Sequence, residues 1–159
     1  MKRLLAILTA ILALFGASIA EDEYYIICEP DSYVNVRRTP KMAGEEIGQL
    51  YCGDRVLSDG KTRNGFIHCV DMSNEYGDGW VHSGYIVEDK PVIVDAYGIT
   101  SPTGRVMARK WVNGKRQSWI KAGTRVRVLA VSDEWTLTVR GFVKSEYIEV
   151  MTDEQIREP

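Results

Sequence analysis

Three cysteines and two histidines, Cys28, Cys52, Cys69, His68 and His82, fall within one stretch of 55 residues in the 159-residue sequence. A cysteine beside a histidine is the raw material of a thiol nucleophile, because the imidazole can take the thiol proton. His68 and Cys69, however, are consecutive in a segment of strand character, FIHCV, and consecutive side chains on a strand point to opposite faces. That arrangement predicts no peptidase or amidase chemistry and no catalytic residue. Two cysteines and two histidines could also bind zinc, but no C-x-x-C or H-x-x-x-H spacing is present. Neither a metal nor any other cofactor is expected. In an exported chain three cysteines predict one disulfide and one thiol left over. All three pairings are open. A hairpin turning around Asp59 to Gly65 would bring Val56 near Ile67 and favours Cys52 with Cys69.

Charge is the second chemical feature. Residues 21–90 hold seven Lys and Arg against fourteen Asp and Glu, whereas residues 101–150 hold ten against four. The whole chain nearly cancels, at a formal −2. So lopsided a pair predicts either polar docking of the two halves or a different partner for each. In the second half Lys110, Lys115, Arg116 and Lys121 surround Trp111 and Trp119, which predicts a basic patch edged by aromatic rings. In the first half Asp71, Glu75 and Asp78 lack the spacing of a calcium loop and fit a solvated hairpin tip.

The start of the chain bears on its compartment. Met1-Lys2-Arg3 is basic, Leu4 to Phe15 is an unbroken apolar run, and Ser18-Ile19-Ala20 is a small-x-small site followed by Glu21-Asp22-Glu23. This order is that of a secretory signal peptide over residues 1–20. The rival is an uncleaved anchor, since Leu4 to Ala20 is at the low edge of what spans a bilayer. Cleavage is favoured by the well-formed cut site, and the absence of a cysteine after Ala20 argues against a lipid anchor. The mature chain is therefore expected to be secreted or held in the cell envelope, with no stable membrane insertion and no nucleic-acid partner.

The remaining residues are patterned as strands. YYIIC, YVNVR, DRVLS, FIHCV and GWVHS are short, β-branched and aromatic, and turn clusters such as EPDS, DGKTRNG and SNEYGDG separate them. After Pro91 the series repeats as VIVDAY, RVMARK, TRVRVLAV, WTLTV and GFVKS. The phrase GWVHSGYI, from Gly79, matches GFVKSEYI, from Gly141, so Trp80 corresponds to Phe142, Tyr85 to Tyr147 and Ile86 to Ile148. VNVRR corresponds to VMARK, CGDRV to AGTRV, and Phe66 to Trp135. Two copies of one small all-β unit are expected, at residues 21–90 and 91–150, with an acidic tail over 151–159.

The first copy resembles the bacterial SH3-like domain. The motifs that carry the resemblance are VNVRRTP (Val34 to Pro40), IGQL (Ile47 to Leu50), GDRV (Gly53 to Val56), GFIHCV (Gly65 to Val70) and GWVHSGYI (Gly79 to Ile86), in the family's order. The second copy departs from the pattern: VMAR lacks the Asn, the I-G-x-L segment is missing, and Phe142 replaces Trp. The resemblance implies two small SH3-like β-barrels in tandem, used as a binding module. Its implied partners are a cell-wall glycopeptide or an anionic wall polymer. The alternative is another exported protein, docked for instance through a proline-containing peptide. Tyr33, Arg37, Phe66, Trp80, Tyr85, Trp111, Lys115, Arg116, Trp119 and Trp135 are the candidate ligand-binding residues. Each aromatic has a competing role as packing, since a ring that plugs the end of a barrel has the same sequence signature as one that stacks on a ligand. Exported material is expected to begin at Glu21; N-terminal sequencing that finds Met1 would refute cleavage.

Overall fold

The computed structural model describes residues 21–72 and 77–151. The signal segment, Glu75 of the acidic loop and the tail beyond Met151 lie outside the described residues. Strands β1 (Asp22–Ile26), β2 (Val34–Arg37), β3 (Glu46–Leu50), β4 (Arg55–Arg63), β5 (Phe66–Met72), β6 (Gly79–His82) and β7 (Ile86–Val87) form one antiparallel sheet in the order β3-β2-β6-β5-β4-β1-β7. Strands β8 (Val92–Thr100), β9 (Arg105–Arg109), β10 (Arg116–Lys121), β11 (Arg125–Val131), β12 (Trp135–Thr138), β13 (Gly141–Lys144) and β14 (Ile148–Val150) form the other, in the order β10-β9-β13-β12-β11-β8-β14. Adding seven to each label of the first order gives the second. A single 3₁₀ turn precedes the last strand of each sheet, at Ser83–Tyr85 and at Ser145–Tyr147. The chain is all-β, and its two sheets share one topology.

Alternation along the strands explains which side each sheet buries. In β2, Val34 and Val36 face inward while Asn35 and Arg37 face outward. In β11, Val126, Val128 and Ala130 are buried between exposed Arg125 and Arg127. The first core gathers Ile26, Val34, Val36, Leu50, Val56, Cys69, Val81 and Ile86, all from the first sheet. The second gathers Val106, Ala108, Ile120, Val126, Val128, Val143 and Ile148, all from the second. Because no other layer covers these residues, each sheet has to curl over its own inner face. The curl does not close into the expected barrel. Among the described residues no ladder joins the outermost strands, β3 to β7 or β10 to β14, and the strand order stays linear.

Two local details depart from the expected pattern. The β4–β5 hairpin turns on Asn64 and Gly65 alone, both with positive φ (53° and 78°), as the tight two-residue turn requires. DGKTR therefore belongs to the strand, Val56 pairs with Met72 rather than lying near Ile67, and Cys69 pairs with Ser58. Cys69 lies opposite the middle of β4 and not opposite the turn that holds Cys52. The register thus removes the reason for pairing Cys52 with Cys69. In the second half, the segment expected to be missing is present as β10. Ile120 pairs with Val106 there, as Leu50 pairs with Val34 in the first half. Its sequence, QSWI, shares only the terminal branched residue with IGQL.

The two halves meet across a third apolar cluster. Ile27 and Val87, with Tyr25, Cys52 and Tyr85 at the edge, pack against Val112, Ala130, Trp135, Leu137 and Phe142, with Trp111 and Leu129 beside them. Burying a side chain of this size contributes about 1.5–3 kcal/mol. The cluster is therefore worth on the order of 10 kcal/mol as an upper limit, comparable to the whole stability of a small domain. Val112 N–H also donates to Gly84 C=O (2.9 Å), and Asp133 N–H to the Asp89 carboxylate (2.8 Å), both across the seam. Among the described residues the ion pairs lie within one half or the other. Polar docking of oppositely charged halves is thereby replaced by apolar docking. Gly84 is required there by space: a Cβ on it would lie 2.6 Å from Trp111 Cβ. Gly84→Ala is expected to lower unfolding stability by about 1–3 kcal/mol through overpacking. Urea unfolding with an unchanged midpoint would contradict that role.

Candidate functional site

The two sheets use the same face for different purposes. In the first sheet, Phe66 pairs with His82, His68 with Trp80, and Trp80 with Arg37. These residues share the outer face, since the residues between them, Ile67, Cys69 and Val81, belong to the inner core. The corresponding pairs in the second sheet are Trp135 with Lys144, and Leu137 with Phe142, which pairs in turn with Arg109. Trp135, Leu137 and Phe142 are all buried in the seam. The second copy has its outer face against the first half, and the first copy keeps its own outer face open.

That open face carries a cleft of about 150 Å³, lined by Tyr33, Val34, Asn35, Arg37, Met42, Phe66, His82 and Tyr85. Four of the ten candidate residues, Tyr33, Arg37, Phe66 and Tyr85, therefore converge. Phe66 forms the floor, 2% exposed, with its ring edge-on to His82 at 5.2 Å. Tyr33 stands 49% exposed at the rim, in a T-shaped contact with Tyr51 at 6.4 Å. Arg37 is committed to the β2–β3 loop: its guanidinium donates to Gly44 C=O (2.8 Å) and pairs with Glu46 (3.1 Å). Asn35 donates to Glu46 at 2.8 Å, and its buried Oδ1 has no hydrogen-bond partner. The cleft thus offers aromatic faces and the His82 ring.

His82 is the hinge between cleft and seam. Its ring contacts Phe66, Tyr85 (5.9 Å) and Trp111 from the second half (5.1 Å). Gly84 N–H donates to His82 Nδ1 (3.1 Å), so the neutral ring carries its proton on Nε2. Burial lowers the His82 pKa from its ordinary value. Tyr85 reaches the other way and meets Phe142 edge-on at 6.4 Å.

The other candidates separate from the cleft. Trp80 is half-buried on the outer face, against His68 at 4.9 Å, and belongs to none of the cores. Trp135, expected as a possible ligand ring, is 1% exposed in the seam. Trp111, expected beside Trp119 in a basic patch, packs instead on His82 and Gly84, with Lys110 Nζ 5.0 Å from its ring. Lys115, Arg116 and Trp119 do stay exposed, and the Arg116 guanidinium lies 5.4 Å from the Trp119 ring centre. Asn35, Met42 and Tyr51 were not singled out in the sequence. Asn35 had a visible signal, since it alternates with Val34 and Val36, but the cleft it faces exists only once β2, β5 and β6 pair.

The thiols and His68 do not form a catalytic pair. Cys69 faces the inner core, fully buried, and burial pushes its thiol up to about 12. His68, on the opposite face, binds Asp59 (3.0 Å) and Asp78 (3.5 Å). Asp59 is held down at about 2, first by its hydrogen bond from Lys61 and then by His68. All three cysteines are free thiols in the structure.

No protein-family model matches the sequence, and no curated protein matches it. The chain is similar to the solved structure of NlpC1 from Trichomonas vaginalis, at 15% identity over 84% of this chain and 47% of that one, with a TM-score of 0.36. It is similar in the same degree to that of NlpC2 from Trichomonas vaginalis, at 14% identity over 89% and 52%, with a TM-score of 0.36. The chain spans about half the length of these two structures.

The lowered His82 pKa has a defined consequence for stability. With a folded pKa below the unfolded value near 6.5, the unfolded state binds the proton more readily, so stability falls as pH drops below that value. His82→Asn keeps an acceptor for Gly84 N–H and removes the titration. The loss of Tm between pH 7.5 and pH 5.5 is expected to be smaller in the variant than in the wild type. Equal losses would show that His82 does not carry the effect.

Proposed function

We propose that the chain is an exported, non-enzymatic binding protein built from two SH3-like domains in tandem, and that the outer cleft of the first holds a cell-envelope component. The single observation that carries this reading is the convergence of Tyr33, Phe66 and Tyr85 on one cleft beside His82. Aromatic faces supply contact area at little cost in side-chain entropy. A short peptide fits this chemistry, with the side chains of a peptidoglycan stem peptide lying against the tyrosines. The exposed Lys115, Arg116 and Trp119 add a separate basic surface suited to the anionic stretches of a wall polymer.

One observation favours docking of another exported protein instead. Tyr33, at the rim and braced by its T-shaped contact with Tyr51, is a ring of the kind that accepts a proline in an extended peptide. The thiols give catalysis no placed base: burial raises the Cys69 pKa, and the lowered pKa of Cys52 comes from its neighbour Cys28 rather than from a histidine.

The test is calorimetry of the whole chain against purified muropeptides and, separately, against proline-containing peptides. Tyr33→Ala should weaken binding of the true ligand by about 5- to 100-fold, corresponding to ~1–3 kcal/mol for one stacking ring. Lys115→Glu with Arg116→Glu should leave that binding intact and reduce only the salt-sensitive attachment to wall polymer. If Tyr33→Ala binds every ligand as tightly as the wild type, the cleft is not the site. Hydrolysis of peptidoglycan by the pure protein, lost in Cys69→Ser, would remove the non-enzymatic assignment altogether.

A further inference from the structure

We propose that Cys28 and Cys52 are a disulfide-forming pair, which on oxidation ties the end of β1 to the turn before β4 and leaves Cys69 a thiol. The backbone brings the two together. Tyr25 pairs with Arg55, Ile26 N–H donates to Asp54 C=O (2.9 Å), and Gly53 N–H donates back to Ile26 C=O (2.8 Å). Cys28 is two residues beyond Ile26 on one chain, and Cys52 one residue before Gly53 on the other, running antiparallel. Cys52 lies in the turn that Asp54 N–H closes on Tyr51 C=O (3.0 Å), so the bridge would join two segments that the Ile26 hydrogen bonds already hold together. Both side chains pack in the first core, and Cys52 also touches the seam.

The two thiols influence each other: the neighbouring Cys52, with burial, raises the Cys28 pKa, and Cys28 in turn lowers that of Cys52. Cys52 is also the more accessible, half-exposed where Cys28 is 4% exposed. Oxidation needs a small-molecule disulfide, R–S–S–R. The Cys52 thiolate attacks one of its sulfurs, forming a Cys52–S–S–R mixed disulfide and releasing one RS⁻. Cys28 gives its proton to solvent and attacks Cys52 Sγ, forming the Cys28–Cys52 bond and releasing the second RS⁻. Two protein thiols are oxidised and one reagent disulfide is reduced to two thiols.

The position of the pair gives the bond a consequence. Cys28 Sγ points toward Ser32 C=O (3.8 Å), immediately before Tyr33, and Cys52 directly follows Tyr51. A bond here joins the chain segments that carry two touching rings, Tyr33, which lines the cleft at its rim, and Tyr51, which packs on it. That this rim matters for binding rests on the function proposed above, whereas the cross-link itself does not.

Tryptic mapping without reduction tests the cross-link directly, because Arg37, Lys41, Arg55 and Arg63 place each cysteine on its own peptide. The whole chain is equilibrated in oxidised and reduced glutathione, alkylated, digested and weighed. The expected product is the 21–37 peptide joined to the 42–55 peptide, two hydrogens lighter than their sum, with Cys69 alkylated only after denaturation. Wild type and Cys69→Ser should both show a higher Tm oxidised than reduced, and Cys28→Ser should show no difference. A link that includes Cys69, linkage only between molecules, or persistence of both thiols in oxidised glutathione would overturn the proposal. Ligand titration of the oxidised and reduced forms is a separate arm: equal affinities would leave the bond intact and sever it from the cleft.

Discussion

The architecture depends on the apolar seam between the two sheets. Each sheet buries its inner face by curling over itself, so neither needs the other to form a core. What joins them is the outer face of the second sheet, where Trp135, Leu137 and Phe142 stand, packed against Ile27, Val87 and Tyr85. A cluster of that size rivals the stability of either half alone. Severing the chain near Pro91 would therefore expose a large apolar patch, and the whole chain is the working unit.

The seam makes two topologically equal copies physically unequal. Where the first sheet shows His68 and His82 outward, the second places Leu137 and Lys144, and Lys144 lies over the Trp135 ring at 4.3 Å. A leucine at the seam avoids the cost of burying an unpaired imidazole. The first copy is left with an open aromatic face, and Trp111 from the second half reaches His82 at its margin. The cleft is thus a property of the pair of copies rather than of one. The charge split follows from the same division: with docking carried by apolar side chains, the acidic and basic surfaces both stay available to solvent.

His82 and the Cys28–Cys52 pair sit where this arrangement is most sensitive to conditions. One connects the cleft floor to the seam through four aromatic and backbone contacts. The other stands at the root of the tyrosine rim. A proton on the first and a bond across the second would both act beside the cleft, the bond from within the first core, where Cys28 is buried.

The sequence by itself determined the strands and their inward faces, because these follow from local alternation and from turn residues such as Asn64-Gly65. It also separated His68 from Cys69, since neighbours on a strand cannot share a face. Tertiary structure decided everything that depends on which strands meet. Two-residue closure of the β4–β5 hairpin set Cys69 opposite Ser58, a matter of register that composition does not encode. The expected closed barrels became open, curled sheets because the outermost strands find no partner. Trp135 and Trp111 look in the sequence like ligand rings equal to Tyr33 and Trp119. An aromatic side chain has the same signature whether it packs or binds, and only the docking of the second sheet assigns the first two to the seam and leaves the others exposed.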